Sequence, residues 1–207
     1  NLSSISIPEG VMSIEHSAFE GCSSLSSITI PSSITSIGQE VFAGCSGLES
    51  ITVVEGNTQY DSRNNCNAII EINSNKLIVG CKNTVIPTSV VYIEDYAFEG
   101  CSSLSSISIS EGVDYIGWRA FHNCSSLSSI SIPKGITSID EGAFSGCSGL
   151  ESITVAADNT RYDSRENCNA IIEKNGDELI VGCKNTVIPM SVKTIEGYAF
   201  YGCSSLN

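Results

Sequence analysis

Positive charge is scarce: ten Lys and Arg stand against twenty-three Asp and Glu, a formal charge of −13 at pH 7. That balance argues against a phosphate-tracking surface, because nucleic-acid binding draws on clustered Lys and Arg. It favours solubility instead. No run of eighteen apolar residues occurs, and no charged opening leads into an apolar stretch, so neither a membrane span nor a signal peptide is visible. A chain that opens at Asn1 without an initiator Met reads as mature or as cut from something longer. His occurs only at His16 and His122, and Trp only at Trp118. The motifs G-x-S-x-G, G-x-x-x-x-G-K-[ST], H-E-x-x-H and C-x-x-C are all missing.

What the chain has is repetition. Gly-Cys-Ser-Ser-Leu-Ser-Ser-Ile is spelled at 21–28 and again at 100–107, and Asn-Cys-Ser-Ser-Leu-Ser-Ser-Ile follows at 123–130. Leu2, Leu25 and Leu48, then Leu104, Leu127 and Leu150, step by 23 residues, each heading L-x-x-I-x-[IV]. Cys81 and Cys183 take the Leu position of two further units, because 81–93 aligns on 104–116 without a gap. The chain therefore reads as eight coils starting at 2, 25, 48, 81, 104, 127, 150 and 183, here coils 1 to 8, with a ninth begun at Leu206. Coils 3 and 7 carry 33 residues, and a second period of 102 residues marks an internal duplication within a longer array. No domain boundary is visible in 1–207.

Within a unit, L-x-x-I-x-I alternates as a half-buried strand does, and Pro follows at 8, 31, 87, 133 and 189, where a lost amide ends pairing. Then come V/I-x-x-I, Ala-Phe or Val-Phe, and Gly-Cys or Asn-Cys. All six Phe, at Phe19, Phe42, Phe98, Phe121, Phe144 and Phe200, fall in one slot and are assigned to the core. The spacing leaves room only for short turns or single helical turns on the return side.

The pattern L-x-x-I-x-I-P-x-x-V-x-x-I-x-x-x-A-F-x-G-C, visible in 2–22, 25–45, 104–124 and 127–147, resembles the leucine-rich repeats of bacterial surface proteins of the kind found in the Bacteroides antigen BspA and in treponemal repeat proteins. The resemblance implies a right-handed leucine-rich repeat solenoid with one parallel β-strand per coil. It also implies a cell-surface or secreted bacterial protein used for adhesion to host proteins or glycans, with no cofactor.

Six of the ten cysteines, Cys22, Cys45, Cys101, Cys124, Cys147 and Cys203, stand three residues before the next Leu position. Stacked at about 4.8 Å with parallel side chains, they miss disulfide geometry and suit a buried turn as free thiols. Abundant free thiols suit an anaerobic or reducing setting. The other four lie in the long coils. Asn175-Gly176 signals a tight hairpin, and a two-residue turn pairing 174 with 177 would set Cys168 opposite Cys183; the same register about 73–74 sets Cys66 opposite Cys81. Opposed cysteines can bridge, yet positions 81 and 183 are core slots that a lone thiol fills, and free thiols are the favoured reading.

The two His occupy different slots of coils four apart, about 20 Å at the stacking distance, too far for one site. The segments 55–61 and 158–163 carry oxygen ligands, but their spacing is not that of a calcium loop and Asp, Asn and Gly are ordinary turn formers. No catalytic or metal site is expected. The outward strand positions form a lawn of Ser and Thr broken by Glu49 and Glu151, without the aromatic and Arg anchors that carry interfaces. An ice-binding use would require regular Thr rows, and these are Ser-rich. Variation concentrates before each Phe, where Tyr96, Trp118, Arg119 and Tyr198 stand, and beside the hairpins, where Arg161 and Arg165 stand. Tyr60 and Tyr162 replace a core Ile and serve either as surface or as core. Two functions follow: a binding module for a host or matrix protein or glycan, or a spacer with no ligand of its own. A binder should concentrate the differences between the 102-residue halves on one face.

Overall fold

The structure, a computed structural model, describes residues 2–203, so the ninth coil expected at Leu206 lies outside it. Coils 2, 3, 6 and 7 begin on four-residue strands, Ser27–Ile30, Ser50–Val53, Ser129–Ile132 and Ser152–Val155. They pair in parallel one coil apart, Ser27 with Ser50 and Ser129 with Ser152. Alternation buries Ile28 and Ile30 and turns Ser27 and Thr29 outward. The expectation of one such strand in every coil holds only for these four. Leu-Ser-Ser-Ile-Ser-Ile is spelled identically at 2–7, 104–109 and 127–132, yet only the last copy joins a ladder. On one side of coil 5, coil 4 turns outward after Cys81, where the Val85 N–H donates back to the Cys66 carbonyl; on the other side coil 6 does carry a strand, yet at this face coil 5 meets it only through the Ser128 N–H to the Ser105 carbonyl.

A second ladder, two residues wide, forms at the close of each V/I-x-x-I element. Ser13–Ile14 pairs with Ser36–Ile37, and Tyr92–Ile93, Tyr115–Ile116 and Ser138–Ile139 run on in parallel from the hairpin strand Lys76–Gly80. The return side consists of turns, with short 3-10 segments only at Arg63–Asn65 and Arg165–Asn167 among the described residues.

Each long coil projects the expected antiparallel hairpin, Ala68–Glu71 with Lys76–Gly80 and Ala170–Glu173 with Glu178–Gly182. The expected register is right at the tip, Glu173 facing Glu178 and Ile172 facing Leu179, but a bulge between Ile171 and Ile172 then sets Ile171 against Val181. The tip is a four-residue loop with Asp177 in the left-handed region at φ 53°, and the expected two-residue turn is not formed. The bulge moves Cys168 out of opposition to Cys183, whose Sγ donates to the Asn169 carbonyl at 3.4 Å. Cys81 likewise donates to the Asn67 carbonyl at 3.3 Å, and all ten cysteines are free thiols.

Tyr60 and Tyr162 are core. The Tyr60 hydroxyl accepts the Ile37 N–H at 3.2 Å, and the Tyr162 hydroxyl accepts the Ile139 N–H at 3.0 Å. In an ordinary coil that amide would reach the carbonyl of the next strand, so the phenol closes the ladder where the coil departs. Buried Asn57 and Asn159 are spent in the same way. Each donates to two carbonyls of the preceding coil and accepts two amides of its own turn, which accounts for their place in the oxygen-rich segments without a metal.

Phe rings stack at the third corner, Phe19 on Phe42 at 5.3 Å, Phe98 on Phe121 at 4.8 Å and Phe121 on Phe144 at 5.1 Å between centroids. The cysteine of each following coil donates to the carbonyl of the Phe below, Cys45 to Phe19, Cys124 to Phe98 and Cys147 to Phe121, at 3.1–3.2 Å. The long coils have no Phe. There Gly80 and Gly182 make room for the rings of Phe98 and Phe200, and the column is interrupted. Coils 2 and 4 thereby become direct neighbours, with the Gly44 N–H donating to the Glu99 carbonyl at 3.0 Å, and coils 6 and 8 repeat this from Gly146 to Tyr201 at 2.8 Å. A Cβ on Gly100 would stand 2.6 Å from the Gly44 Cα, so only glycine allows the approach.

Candidate functional site

Two slots of the return turn lie in the left-handed region in every coil with a described Phe. Two residues after Phe stand Gly21, Gly44, Gly100, Asn123, Gly146 and Gly202, with φ between 59° and 83°. These are the residue types that this conformation favours. Two residues before Phe stand Ser17, Glu40, Tyr96, Arg119, Gly142 and Tyr198, with φ between 50° and 68°. Here only coil 6 has glycine. Holding Tyr, Arg or Glu in this region costs about 1–3 kcal/mol each. The chain carries that cost where it presents large side chains along one edge.

On coils 4 and 5 that edge is aromatic. Tyr96 meets Trp118 edge to face with centroids 5.0 Å apart, and the Arg119 guanidinium lies 4.8 Å from the Trp118 centroid. The Trp118 backbone N–H donates to the Asp95 carboxylate at 2.8 Å. Trp118 and Arg119 are half-buried, so Trp118 both packs on a neighbour and shows a face to solvent. Just before them in the second ladder Tyr92 stacks on Tyr115 at 4.1 Å, with the Lys76 ammonium 4.6 Å from the Tyr92 ring and the Tyr115 hydroxyl donating to Asp140. Burial and that carboxylate hold the Tyr115 hydroxyl well above its ordinary pKa.

Beside this edge, where coil 3 is squeezed out and coil 2 meets coil 4, a cleft of about 180 Å³ opens. Phe42 and Val79 line its apolar part, and Glu40, Glu94, Tyr96 and Glu99 line the rest. The Glu99 Oε2 is buried with no hydrogen-bond partner. Burial, then the Glu40 charge, pushes the Glu99 carboxyl up to about 7, against the opposite pull of Arg119. Corresponding positions of the second half are Gly142 and Tyr201, so this acidic pair belongs to one half alone.

The structure brings Tyr96, Trp118 and Arg119 together. Tyr198, 49 % exposed, lies on the same edge of coil 8 against Tyr201, centroids 5.9 Å apart. Arg161 is exposed, near the Glu173 carboxylate at 3.8 Å and over the Tyr162 ring. Arg165 is engaged within the fold, bonding Asp163 at 2.9 Å and Asp177 at 2.7 Å, and so clasps the 3-10 turn to the hairpin tip. Glu49 and Glu151 pair with Lys82 and Lys184 at 2.6 Å, anchoring the outward turns of coils 4 and 8 to the strand face.

His122 is buried and fully partnered, its Nδ1 at 2.6 Å from the Ser145 hydroxyl and its Nε2 at 2.9 Å from the Asn123 amide, and burial lowers its pKa. Burial raises the Cys45 thiol to about 11 and Cys101 to about 12, so these thiols stay neutral at physiological pH. No group of three or more His, Cys, Asp or Glu is placed to hold a metal among the described residues. No helix there is long and apolar enough to cross a membrane.

Sequence reasoning missed Tyr92, Tyr115, Glu40, Glu99 and Tyr201. The signal was available in the slot after Phe, where Glu20, Ala43, Glu99, His122, Ser145 and Tyr201 differ as much as the slots before it.

The model of the BspA type leucine rich repeat region matches residues 1–79, 76–175 and 178–207, six copies in all. A leucine-rich repeat protein from Eubacterium ventriosum is 25% identical, with 99% of this chain and 46% of that one covered at a TM-score of 0.55. A leucine rich cell surface protein from Faecalibacterium prausnitzii is 27% identical, with 99% and 58% covered at 0.56. The pneumococcal vaccine antigen PcpA shares the fold at 18% identity, with 92% and 55% covered and a TM-score of 0.51. The chain thus spans about half the length of these solved relatives. No functionally curated protein matches it.

Proposed function

Because this chain belongs to the BspA-type leucine-rich repeat family, we propose that it is a non-catalytic binding module, displayed on a bacterial surface or secreted, that takes a host or matrix protein or glycan along the return edge of coils 4 and 5. One observation carries the reading. Coils 4 and 5 differ from their counterparts in coils 8 and 1 at thirteen positions, and nine of these fall in the second ladder and the return turn that make that edge, among them Tyr92 against Thr194, Tyr115 against Ser13, Trp118 against His16 and Arg119 against Ser17, the other four being at Thr88, Val91, Ser110 and Asp114. Neutral exchange between copies would spread such differences over all faces, whereas a binding surface collects them. The large side chains of Tyr96 and Arg119, held in the left-handed region, support the same edge. Aromatic rings and Arg bury area and pair bidentately, while serine hydroxyls merely exchange one water bond for another. Cleft and exposed Tyr198 extend the surface, and Arg161 lies beside the second hairpin.

The test is binding of the chain to immobilised matrix proteins and glycans, comparing wild type with Trp118→Ala and with Ser105→Ala/Ser106→Ala/Ser128→Ala. Binding weakened roughly tenfold or more by Trp118→Ala, with the melting temperature nearly unchanged, is the expected result. Loss on the serine changes with full affinity at Trp118→Ala would overturn the assignment. Absence of binding to every such probe would leave the spacer role as the better account.

A further inference from the structure

The cleft between coils 2 and 4 combines two kinds of wall. Phe42 and Val79 form an apolar side, and Glu40, Glu94, Tyr96 and Glu99 form a polar one. At about 180 Å³ it is roomy enough for a side chain, since a cavity of about 150 Å³ accepts a benzene-sized guest. The Glu99 Oε2 is buried without a hydrogen-bond partner, a condition that is unfavourable until a donor arrives. Cations of the chain itself do not supply one. Lys76 pairs with Glu94 at 3.2 Å, and the Arg119 guanidinium lies over the Trp118 ring. Among the described residues neither Glu40 nor Glu99 has an ion-pair partner.

The second half shows that the fold does not need these two carboxylates. There coil 6 meets coil 8 through the same corner bond, and Phe144, Val181, Glu196 and Tyr198 repeat Phe42, Val79, Glu94 and Tyr96. Gly142 and Tyr201 stand in place of Glu40 and Glu99. The Tyr201 ring packs against Tyr198 at 5.9 Å and against His122 at 6.0 Å between centroids. Where the corner is only structural an aromatic ring serves it, and the buried acid stands at the edge that carries Trp118 and Arg119.

We propose that this cleft receives a lysine side chain of a protein partner. The inference rests on the binding-module reading and deepens it, selecting a protein over a glycan at this edge. The lysine ammonium donates to the Glu99 Oε2 and to Glu40, bonds strengthened by the charge on both sides. Its methylene stem covers Phe42 and Val79, as lysine stems lie along apolar surface while the head stays polar. The Tyr96 ring offers the cation a third contact. Lysine suits the site better than arginine, because a single buried oxygen matches a compact ammonium whereas a guanidinium fork asks for two parallel acceptors. The net charge of −13 draws a basic partner toward the chain.

An NMR titration of the isotope-labelled 207-residue chain with Nα-acetyl-lysine amide tests this, because amide shifts report where a weak ligand sits. Amides of residues 40–43 and 94–101 should move, with a dissociation constant on the order of millimolar, the reach of one side chain. Glu99→Gln keeps the side-chain shape and should weaken binding about tenfold or more, and Glu40→Gln about threefold or more, each with the spectrum outside the cleft unchanged. Glu55→Gln removes one exposed charge away from the cleft lining and should change nothing. The Nε-acetylated probe, which carries no charge, should leave the cleft amides in place. Binding should strengthen from pH 6 to pH 8, because the Glu99 carboxyl, set to about 7 by burial and by Glu40 and Glu20 against Arg119, ionises there while lysine stays charged. Equal shifts from the acetylated probe, a titration that Glu99→Gln leaves intact, or a response flat with pH would overturn the proposal. Matrix binding lost at Trp118→Ala, with cleft amides unmoved by the lysine probe, would remove the lysine pocket and leave the binding edge standing.

Discussion

Phe98 lies flat against Gly80, its Cε1 and Cζ in the volume that a Cβ on residue 80 would fill. The ring that coil 3 lacks is thus replaced from above. Gly80→Ala should destabilise the chain by about 1–3 kcal/mol through overpacking. Combining it with Phe98→Leu should cost less than the sum of the two single changes, because the smaller side chain frees the same space. Denaturant melts of the four proteins decide this, and strict additivity would separate the two residues.

Phe121 is fully buried between Phe98 and Phe144, while Phe200 lies over Gly182 and is partly exposed. Phe121→Ala should cost about 3–5 kcal/mol, and Phe200→Ala clearly less. Equal losses in urea melts would contradict the difference in packing between the two rings.

The repeat, the Phe slot and the burial of Cys45, Cys101, Cys124 and Cys147 were legible because each residue type recurs wherever one kind of hole recurs. The three copies of Leu-Ser-Ser-Ile-Ser-Ile mark where that legibility stops. The hexapeptide at 127–132 contributes a paired strand and those at 2–7 and 104–109 do not, although each of those lies beside a coil that carries one, so the same six residues do not by themselves decide pairing. The bulge at Ile171 and Ile172 was equally hidden, since both residues are buried apolar and alternation alone does not place it. The aromatic edge was legible at Trp118 and Arg119 and missed at Tyr92 and Tyr115, whose slot passed for the polar side of a buried Ile.

Thiol titration of denatured, unreduced chain should count ten free groups. In the native state Cys22 and Cys203, which are partly exposed, should react first, and the eight buried thiols only as the chain opens. A denatured count near six would restore the two hairpin bridges.

Glu99 should make the chain sensitive to pH. Its folded carboxyl is raised to about 7 from an ordinary 4.5, so its favourable contribution is full below pH 4.5 and falls as pH rises to about 7. The groups acting on it are Glu40 and Glu20, which oppose its charge, and Arg119, which favours it. Glu99→Gln should therefore melt higher than wild type at pH 8, with the gap closing toward pH 4.5. A constant gap across that range would remove Glu99 from the account.

Ser17 offers the cleanest measure of backbone cost on the return edge, being left-handed at φ 56° with a small side chain. Ser17→Gly should leave stability unchanged or raise it by up to about 1 kcal/mol, and Ser17→Ala should lower it. A thermal melt in which alanine outperforms glycine would show that the slot carries no strain.

The bond from Gly44 to Glu99 has a consequence for shape at larger scale. At that corner coil 2 meets coil 4 directly, while at the strand face coil 2 pairs with coil 3, because coil 3 contributes to one side and withdraws from the other. Blocks of unequal height on opposite sides behave as keystones in an arch. The wedge falls at the long coil, so the long coils, and not the short ones, mark where the two sides of the solenoid part in height.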